Sequence, residues 1–237
     1  SDCARTLGAN RFADFYDGLG ATHFAMGEMT PAIDAFRKSI ACNPRNPNVH
    51  ARLAAALVHA GQPAQARAEA ERGRAIDPEN LEPVAILMQL DFVEERWPEA
   101  IASLRRLIAD TPDTERATYW QCFLWLAQLR SGLGTPGIVA AELTDDWPRP
   151  LIDWLEGNLT EEQVLERVKD VDSDKRLREM LAEALYYTGQ ARLARGENET
   201  ARLYFTATVN LKVTYFIEHR MALAELAKIR ASSGRSP

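Results

Sequence analysis

Small and apolar residues recur along the first half of the chain with a period of 34 residues. A proline ends three successive stretches, at Pro44, Pro78 and Pro112. Before each proline, in matching positions, stand the small residues Ala32, Ala66 and Ala100 and then the residues Phe36, Ala70 and Leu104. Spacings of three and four residues between apolar positions are typical of amphipathic helices. The pattern therefore predicts three units, 13–46, 47–80 and 81–114, each with two helices joined by a tight turn.

The turn inside each predicted unit is marked by glycine or proline. The turns are expected at 27–31, 61–63 and 96–98, and Glu95 stands where the first two units have Gly27 and Gly61. Proline has no N–H, so it fits the first turn of a helix, where that donor lacks a partner. Thr30 is expected to cap the second helix of the first unit, because its hydroxyl can accept from a free backbone N–H.

The pattern weakens after residue 114 and returns near the end of the chain. Residues 115–181 contain four of the five tryptophans, and we expect two degenerate helix pairs there, with a capping box at Thr160–Gln163. Residues 182–230 are predicted to form a fourth repeat and a capping helix from Tyr215 to about Arg230. Residues 1–12 are expected to be an N-terminal segment and 231–237 a disordered tail.

These positions are those of the tetratricopeptide repeat (TPR). The predicted fold class is all-α: a TPR-type α-solenoid of helix-turn-helix repeats in a right-handed superhelix, with degenerate middle repeats and a C-terminal capping helix. Such a fold does not by itself identify a function.

A second resemblance covers the C-terminal part of the chain. Residues 183–229 resemble, without a gap, the C-terminal end of the bacterial outer-membrane lipoprotein family new lipoprotein I. The matching residues are Tyr187, Gly189, Leu193, Gly196, Thr200, Ala201, Phe205, Glu218, His219, Arg220, Ala222, Leu223, Glu225 and Leu226. Upstream, Gly157–Glu161 and Leu165–Arg167 are similar to the same family.

This second resemblance implies a non-enzymatic scaffold that faces the periplasm. Members of that family are similar in forming homodimers and in docking a tail-specific protease beside a murein endopeptidase. By the same resemblance, Cys3 is a candidate lipid anchor at the outer membrane, although Ser1 and Asp2 precede it; the alternative is a residue in a frayed terminus. The alternative function is a general TPR module of a cytoplasmic or pilus-assembly complex.

Composition and charge narrow the classes of partner. The chain has 237 residues, of which 46% are hydrophobic and 26% charged, so it is expected to fold without disulfides or metals. Its net charge of −6 argues against binding a phosphate backbone, so no nucleic-acid partner is expected. No apolar run approaches the length of a membrane-spanning helix, which leaves a lipid on Cys3 as the predicted membrane contact. Cys42 and Cys122 are expected to be small buried apolar residues, with at most one disulfide in the chain.

The sequence contains no recognisable catalytic, cofactor or metal site. The four histidines do not pair with other ligand residues at metal-binding spacing. Glu218, His219 and Arg220 are adjacent, and neighbours on a helix point about 100° apart, so they cannot converge on one atom. We predict no enzyme, although a deep pocket with converging polar groups between 115 and 181 would favour one.

A TPR stack offers instead a concave groove lined by the first helix of each repeat. The groove residues predicted from the repeat register are Asp17, Phe24, Asn48, Ala51, Ala55, Val58, His59, Glu82, Gln89 and Phe92. Small apolar residues with acidic edges suit an apolar peptide or helix that carries some positive charge. The alternative is that these residues contact neighbouring helices of the same chain.

Overall fold

The computed structural model describes residues 9–112, 114–133, 147–169, 173–214 and 216–233. These ranges contain helices and no strand. The helices are α1 Ala9–Ala25, α2 Met29–Cys42, α3 Pro47–His59, α4 Pro63–Ile76, α5 Leu81–Val93, α6 Trp97–Asp110, α7 Thr114–Ser131, α8 Arg149–Leu155, α9 Glu161–Lys169, α10 Asp174–Ala194, α11 Asn198–Asn210 and α12 Ile217–Ser233. The predicted all-α fold of TPR type is confirmed.

The chain divides into two compact units, Ser1–Leu90 and Asp91–Pro237. In the first unit α1 packs on α2, α3 packs on α4, and α2 contacts α3. In the second unit α6 packs on α7, α10 packs on α11, and α12 contacts both α10 and α11. Each unit thus contains pairs of consecutive helices that pack against each other.

The same turn closes four of the helical hairpins. A residue with positive φ lies two residues after the end of the first helix, at Gly27 (79°), Gly61 (69°), Glu95 (59°) and Gly196 (77°). The next residue then donates its N–H to the carbonyl five positions earlier, in the pairs Glu28–His23 (2.9 Å), Gln62–Leu57 (2.9 Å), Arg96–Asp91 (2.8 Å) and Glu197–Arg192 (3.0 Å). This bond satisfies a carbonyl that the helix end leaves without a partner. Glycine adopts positive φ without steric cost, whereas Glu95 adopts it against the preference of its side chain.

The helix ends follow the predicted signals with one exception. Helices α2, α4 and α6 each end two residues before the proline of their unit. At α9 the capping box is confirmed, because Thr160 N–H donates to Gln163 Oε1 at 2.8 Å and Gln163 N–H to Thr160 Oγ1 at 3.2 Å. The prediction for Thr30 was wrong: α2 begins at Met29 with Glu28 as its N-cap, and Thr30 lies inside the helix.

The register of the repeat is visible in what is buried. The small residue at the same position of four hairpins is fully buried, at Ala32, Ala66, Ala100 and Ala201. In the first unit the core also includes Phe36, Leu53 and Leu57. Small side chains at these positions allow the two helices of a hairpin to approach closely, so larger residues nearby can fill the space between them.

Two glycines of α1 provide a matched test of this close approach. A Cβ built on Gly20 would lie 2.6 Å from two ring atoms of Phe36, whereas one built on Gly18 would meet nothing within 4 Å. We expect Gly20→Ala to lower the free energy of unfolding by about 1–3 kcal/mol through overpacking. Gly18→Ala is expected to raise it by about 0.5–1 kcal/mol, because alanine restricts the unfolded chain more. Urea unfolding followed by circular dichroism measures both, and equal effects would contradict the assigned packing.

Several boundaries differ from the predicted ones. Helix α10 begins at Asp174, before the predicted repeat start at 182, and α12 extends to Ser233, into the segment expected to be disordered. Between α7 and α10, α8 and α9 occupy part of the segment expected to form two helix pairs. Residues 1–8, including Cys3, and 234–237 lie outside the described residues.

The cysteines follow only part of the expectation. Cys122 is a free, fully buried thiol. Cys42 is half-buried and disulfide-bonded, so the expectation of a small buried apolar residue was wrong for it. Among the described residues no helix is both long and apolar enough to cross a membrane.

Candidate functional site

A cleft on the first unit brings together residues of α3 and α5. It is lined by Asn48, Ala51, Arg52, Ala55, Glu82 and Ile86 and has a volume of about 440 Å³. Four of these, Asn48, Ala51, Ala55 and Glu82, are groove residues predicted from the repeat register. We call this feature the α3–α5 cleft. Its floor is formed by the short side chains of two alanines and by Ile86, all at least half-buried.

Polar side chains surround this apolar floor. Arg52, on α3, forms an ion pair with Asp17 of α1. On the other side of the cleft Asn80 donates to Asn48 Oδ1 at 2.6 Å and accepts the backbone N–H of Glu82 at 3.0 Å. Amide side chains can both donate and accept, so this rim can pair with the backbone of an extended or helical segment.

The positions of these residues follow from local structure. Pro47 occupies the first turn of α3, and the Asn46 side chain caps it by accepting the N–H of Asn48 at 3.1 Å. Behind the cleft, His50 is buried with its ring between Glu69, at 2.8 Å, and the carbonyl of Pro44, at 3.1 Å. The hydrogen bond with Glu69 raises the pKa of His50, and the bond with His50 lowers the pKa of Glu69. This pair ties α3 to α4, so His50 is a structural residue.

Other predicted groove residues lie elsewhere on the first unit. Phe24 and Val58 are half-buried and pack against its core cluster. His59 meets the Phe24 ring edge-on, with centroids 4.9 Å apart. Gln89 is buried within α5. These four residues contact their own chain, which corresponds to the alternative stated for the groove.

Phe92 lies in the second unit and is part of its core. Its side chain is 0% exposed, and its ring stands edge-on to Trp97 at 5.2 Å and to Phe123 at 5.7 Å between centroids. The expectation that Phe92 is an open anchor on a groove floor therefore does not hold. The repeat position of Phe92 on α5 is that of a groove residue, and nothing in the local sequence shows that it is buried. The ring is enclosed by Trp97 of α6 and Phe123 of α7.

Two lining residues were missed by the sequence analysis. Arg52 and Ile86 occupy the same position of successive repeats, 34 residues apart, and Arg52 comes one residue after the predicted groove residue Ala51. On the surface of a helix, residues four apart are neighbours, and Arg52 follows Asn48 and Ile86 follows Glu82 by four residues. A wider stripe of positions would have included both residues.

The arrangement in the cleft is suited to binding. It presents an apolar floor, amides and one ion pair, and among its described lining residues there is no histidine, cysteine or hydroxyl side chain.

Part of the chain matches the sequence model of a known protein family. The sequence model of the tetratricopeptide repeat family matches residues 23–90, which contain all the residues that line the α3–α5 cleft. Within residues 23–90 the apolar, proline-ended pattern described above is therefore similar to that of this family.

Solved structures of other proteins are also similar to the chain. The MamA protein is 17% identical, with 85% of this chain and 92% of that chain covered and a TM-score of 0.47. The TPR domain of P58(IPK) is 16% identical, with 94% and 56% covered and a TM-score of 0.48. PilF of Pseudomonas aeruginosa is 18% identical, with 96% and 90% covered and a TM-score of 0.49.

Proposed function

We propose that the chain is a non-enzymatic scaffold that holds a peptide segment or helix of a partner protein in the α3–α5 cleft. The observation that carries this proposal is the small apolar floor with a polar rim, located inside the region that matches the TPR family. TPR repeats bind protein partners, and a concave apolar surface with a few directional polar groups is the usual form of such a site.

The cleft suits a segment with a small apolar contact face and some positive charge. Ala51 and Ala55 leave room for a side chain of the partner, while Ile86 offers an apolar wall. The exposed carboxylate of Glu82 adds negative charge at the rim, and the charge of Arg52 is balanced by Asp17. A basic residue beside an apolar anchor would therefore meet complementary charge, which favours association and register.

We also propose that the scaffold acts in the periplasm, in the manner of new lipoprotein I. The resemblance of residues 183–229 supports this, and the partners it implies are a tail-specific protease and a murein endopeptidase, with a homodimer as the assembly. The disulfide at Cys42 is consistent with an oxidising compartment, where such bonds persist.

A charge placed in the cleft tests the proposal. Ala55→Arg puts a long side chain into the cleft, and Ala75→Arg puts the same side chain on an exposed position of α4 outside it. We expect wild type and Ala75→Arg to retain the protease and the hydrolase from a bacterial envelope extract, and Ala55→Arg to lose at least about 90% of both. Circular dichroism checks that both variants keep their helices.

The outcomes separate the parts of the proposal. Equal recovery by Ala55→Arg would place the binding surface outside the cleft. If wild type retains neither enzyme, the envelope function is wrong, whatever other proteins bind.

A further inference from the structure

One side of α1 is apolar and lies open to solvent. Its large side chains are spaced by three, four and seven residues, so they project from the same side of the helix, and their exposed fractions are 52%, 62%, 37% and 60% for Phe12, Phe15, Leu19 and Met26. Met26 continues the helical path, because its N–H donates to the carbonyl of Thr22 at 3.1 Å. We call these four residues the α1 face. They are four of the seven large apolar side chains that are exposed among the described residues, so exposed apolar surface is concentrated there.

The second repeat shows how the same positions pack when a helix covers them. Phe15 and Leu19 have their counterparts 34 residues later on α3, at Val49 and Leu53. These counterparts are 0% and 2% exposed. They belong to one core cluster with three residues of α2, the helix that precedes α3: Ala32, Ile33 and Phe36. The α1 face therefore has the positions of a helix-packing surface, and its side chains are still exposed in the described part of the chain.

The area of the α1 face is close to what one half of a stable interface requires. Side chains of this size expose roughly 200 Å² each when fully free, so the four residues together expose about 400 Å² of apolar surface. Two such faces in contact would bury about 800 Å² of apolar area. A specific interface buries about 1,200–2,000 Å² in total, of which roughly 60% is apolar. A second copy of the same face therefore supplies the apolar area of an interface of standard size.

The polar groups beside the α1 face do not oppose contact with a second copy. Arg11 and Asp14 are both exposed on α1 and have opposite signs, so neither sign of charge is in excess there. The hydroxyl of Thr22 donates to the carbonyl of Gly18 at 2.9 Å, so this hydroxyl keeps a hydrogen bond when water is removed. Two copies can therefore meet at this face without concentrating like charges on it.

We propose that the α1 face is the surface through which two copies of this chain form a two-fold homodimer. In a two-fold interface the same patch serves both copies, so one apolar face per chain is sufficient. The second copy covers α1 as α2 covers α3, and each copy buries the exposed rings of the other. The inference rests on the homodimer of the proposed function, to which it assigns a surface on the first unit.

Sedimentation equilibrium of the full chain over a range of concentrations tests the assignment. We expect wild type to be mainly dimeric at about 50 µM. Phe15→Glu places a charge on the α1 face and is expected to weaken the association at least about tenfold. Leu203→Glu is the matched control, because it places the same charge on α11 at a side chain that is 60% exposed, against 62% for Phe15. We expect this control to associate like wild type, and circular dichroism checks that all three proteins keep their helices.

The outcomes separate the surface from the homodimer itself. A wild-type chain that stays monomeric at about 50 µM would overturn both, and would leave the α1 face to a helix of a different protein. Wild-type dimers that Phe15→Glu leaves intact, or that Leu203→Glu weakens equally, would overturn the surface alone. If Phe15→Glu loses its helical signal, Met26→Glu, in the turn after α1, takes its place in the same comparison.

Discussion

Phe92→Asp is expected to lower the free energy of unfolding of the second unit by more than about 4 kcal/mol. Removing a fully buried phenylalanine costs about 3–5 kcal/mol in lost burial and cavity formation. The aspartate adds the cost of burying a carboxylate against the rings of Trp97 and Phe123. This is the largest single effect we expect from one substitution.

Tryptophan fluorescence during urea unfolding measures this effect for the second unit alone. All five tryptophans lie after residue 90, so the first unit contributes nothing to the signal. Leu203→Asp is the control, because it places the same charge on an exposed position of α11. We expect that control to change stability by less than about 0.5 kcal/mol. A stable Phe92→Asp variant with unchanged fluorescence would show that the ring faces solvent.

Arg130→Met is expected to cost about 3–5 kcal/mol, because it leaves a buried carboxylate without its main partner. Arg130 Nη1 donates to Glu225 Oε1 at 2.7 Å and to Gln190 Oε1 at 2.8 Å, and Nη2 donates to Glu95 Oε1 at 2.8 Å. Glu225 is 1% exposed. Lys228 remains 3.5 Å from Glu225, which places the expected loss toward the lower end of the range.

A second substitution distinguishes the buried charge from the lost packing of the arginine. Arg130 also stacks on Trp97, with the guanidinium 5.1 Å from the ring centre, and methionine keeps much of that apolar contact. Adding Glu225→Gln to Arg130→Met removes the unpaired charge, so we expect the double variant to recover at least about half of the lost stability. Arg202→Met, whose partner Glu199 lies one helical turn away on the surface, should cost less than about 1 kcal/mol. Urea unfolding of all four proteins measures these differences.

The local parts of the fold were readable in the sequence. The spacing of Ala32, Ala66 and Ala100 and the three prolines predicted the helical hairpins, their register and the places where their second helices end. These features depend on residues within one hairpin, and their effects act over one or two turns of helix. The prediction that Thr30 caps α2 was wrong. The turn at Gly27 makes α2 begin at Met29, so Glu28 is its N-cap.

The sequence predicted only those residues of the candidate site whose exposure depends on the face of a single helix. Asn48, Ala51, Ala55 and Glu82 line the α3–α5 cleft because their positions repeat with the helix period. Phe92 follows the same rule along the chain, yet the rings of Trp97 and Phe123 enclose it. Whether a residue on the inner face stays open depends on what packs over it, and that partner can be any number of residues away.

The sequence alone thus determined the all-α class, the period of 34 residues, the turns and the alanine positions at which helices touch, because each of these follows from spacing within a hairpin. The tertiary structure alone decided that Glu183 and Glu218 share one pocket and that Arg130 joins Glu95, Gln190 and Glu225. These groups come from helices far apart in the chain. Their meeting depends on how whole helices pack, which no local pattern of apolar and polar residues records.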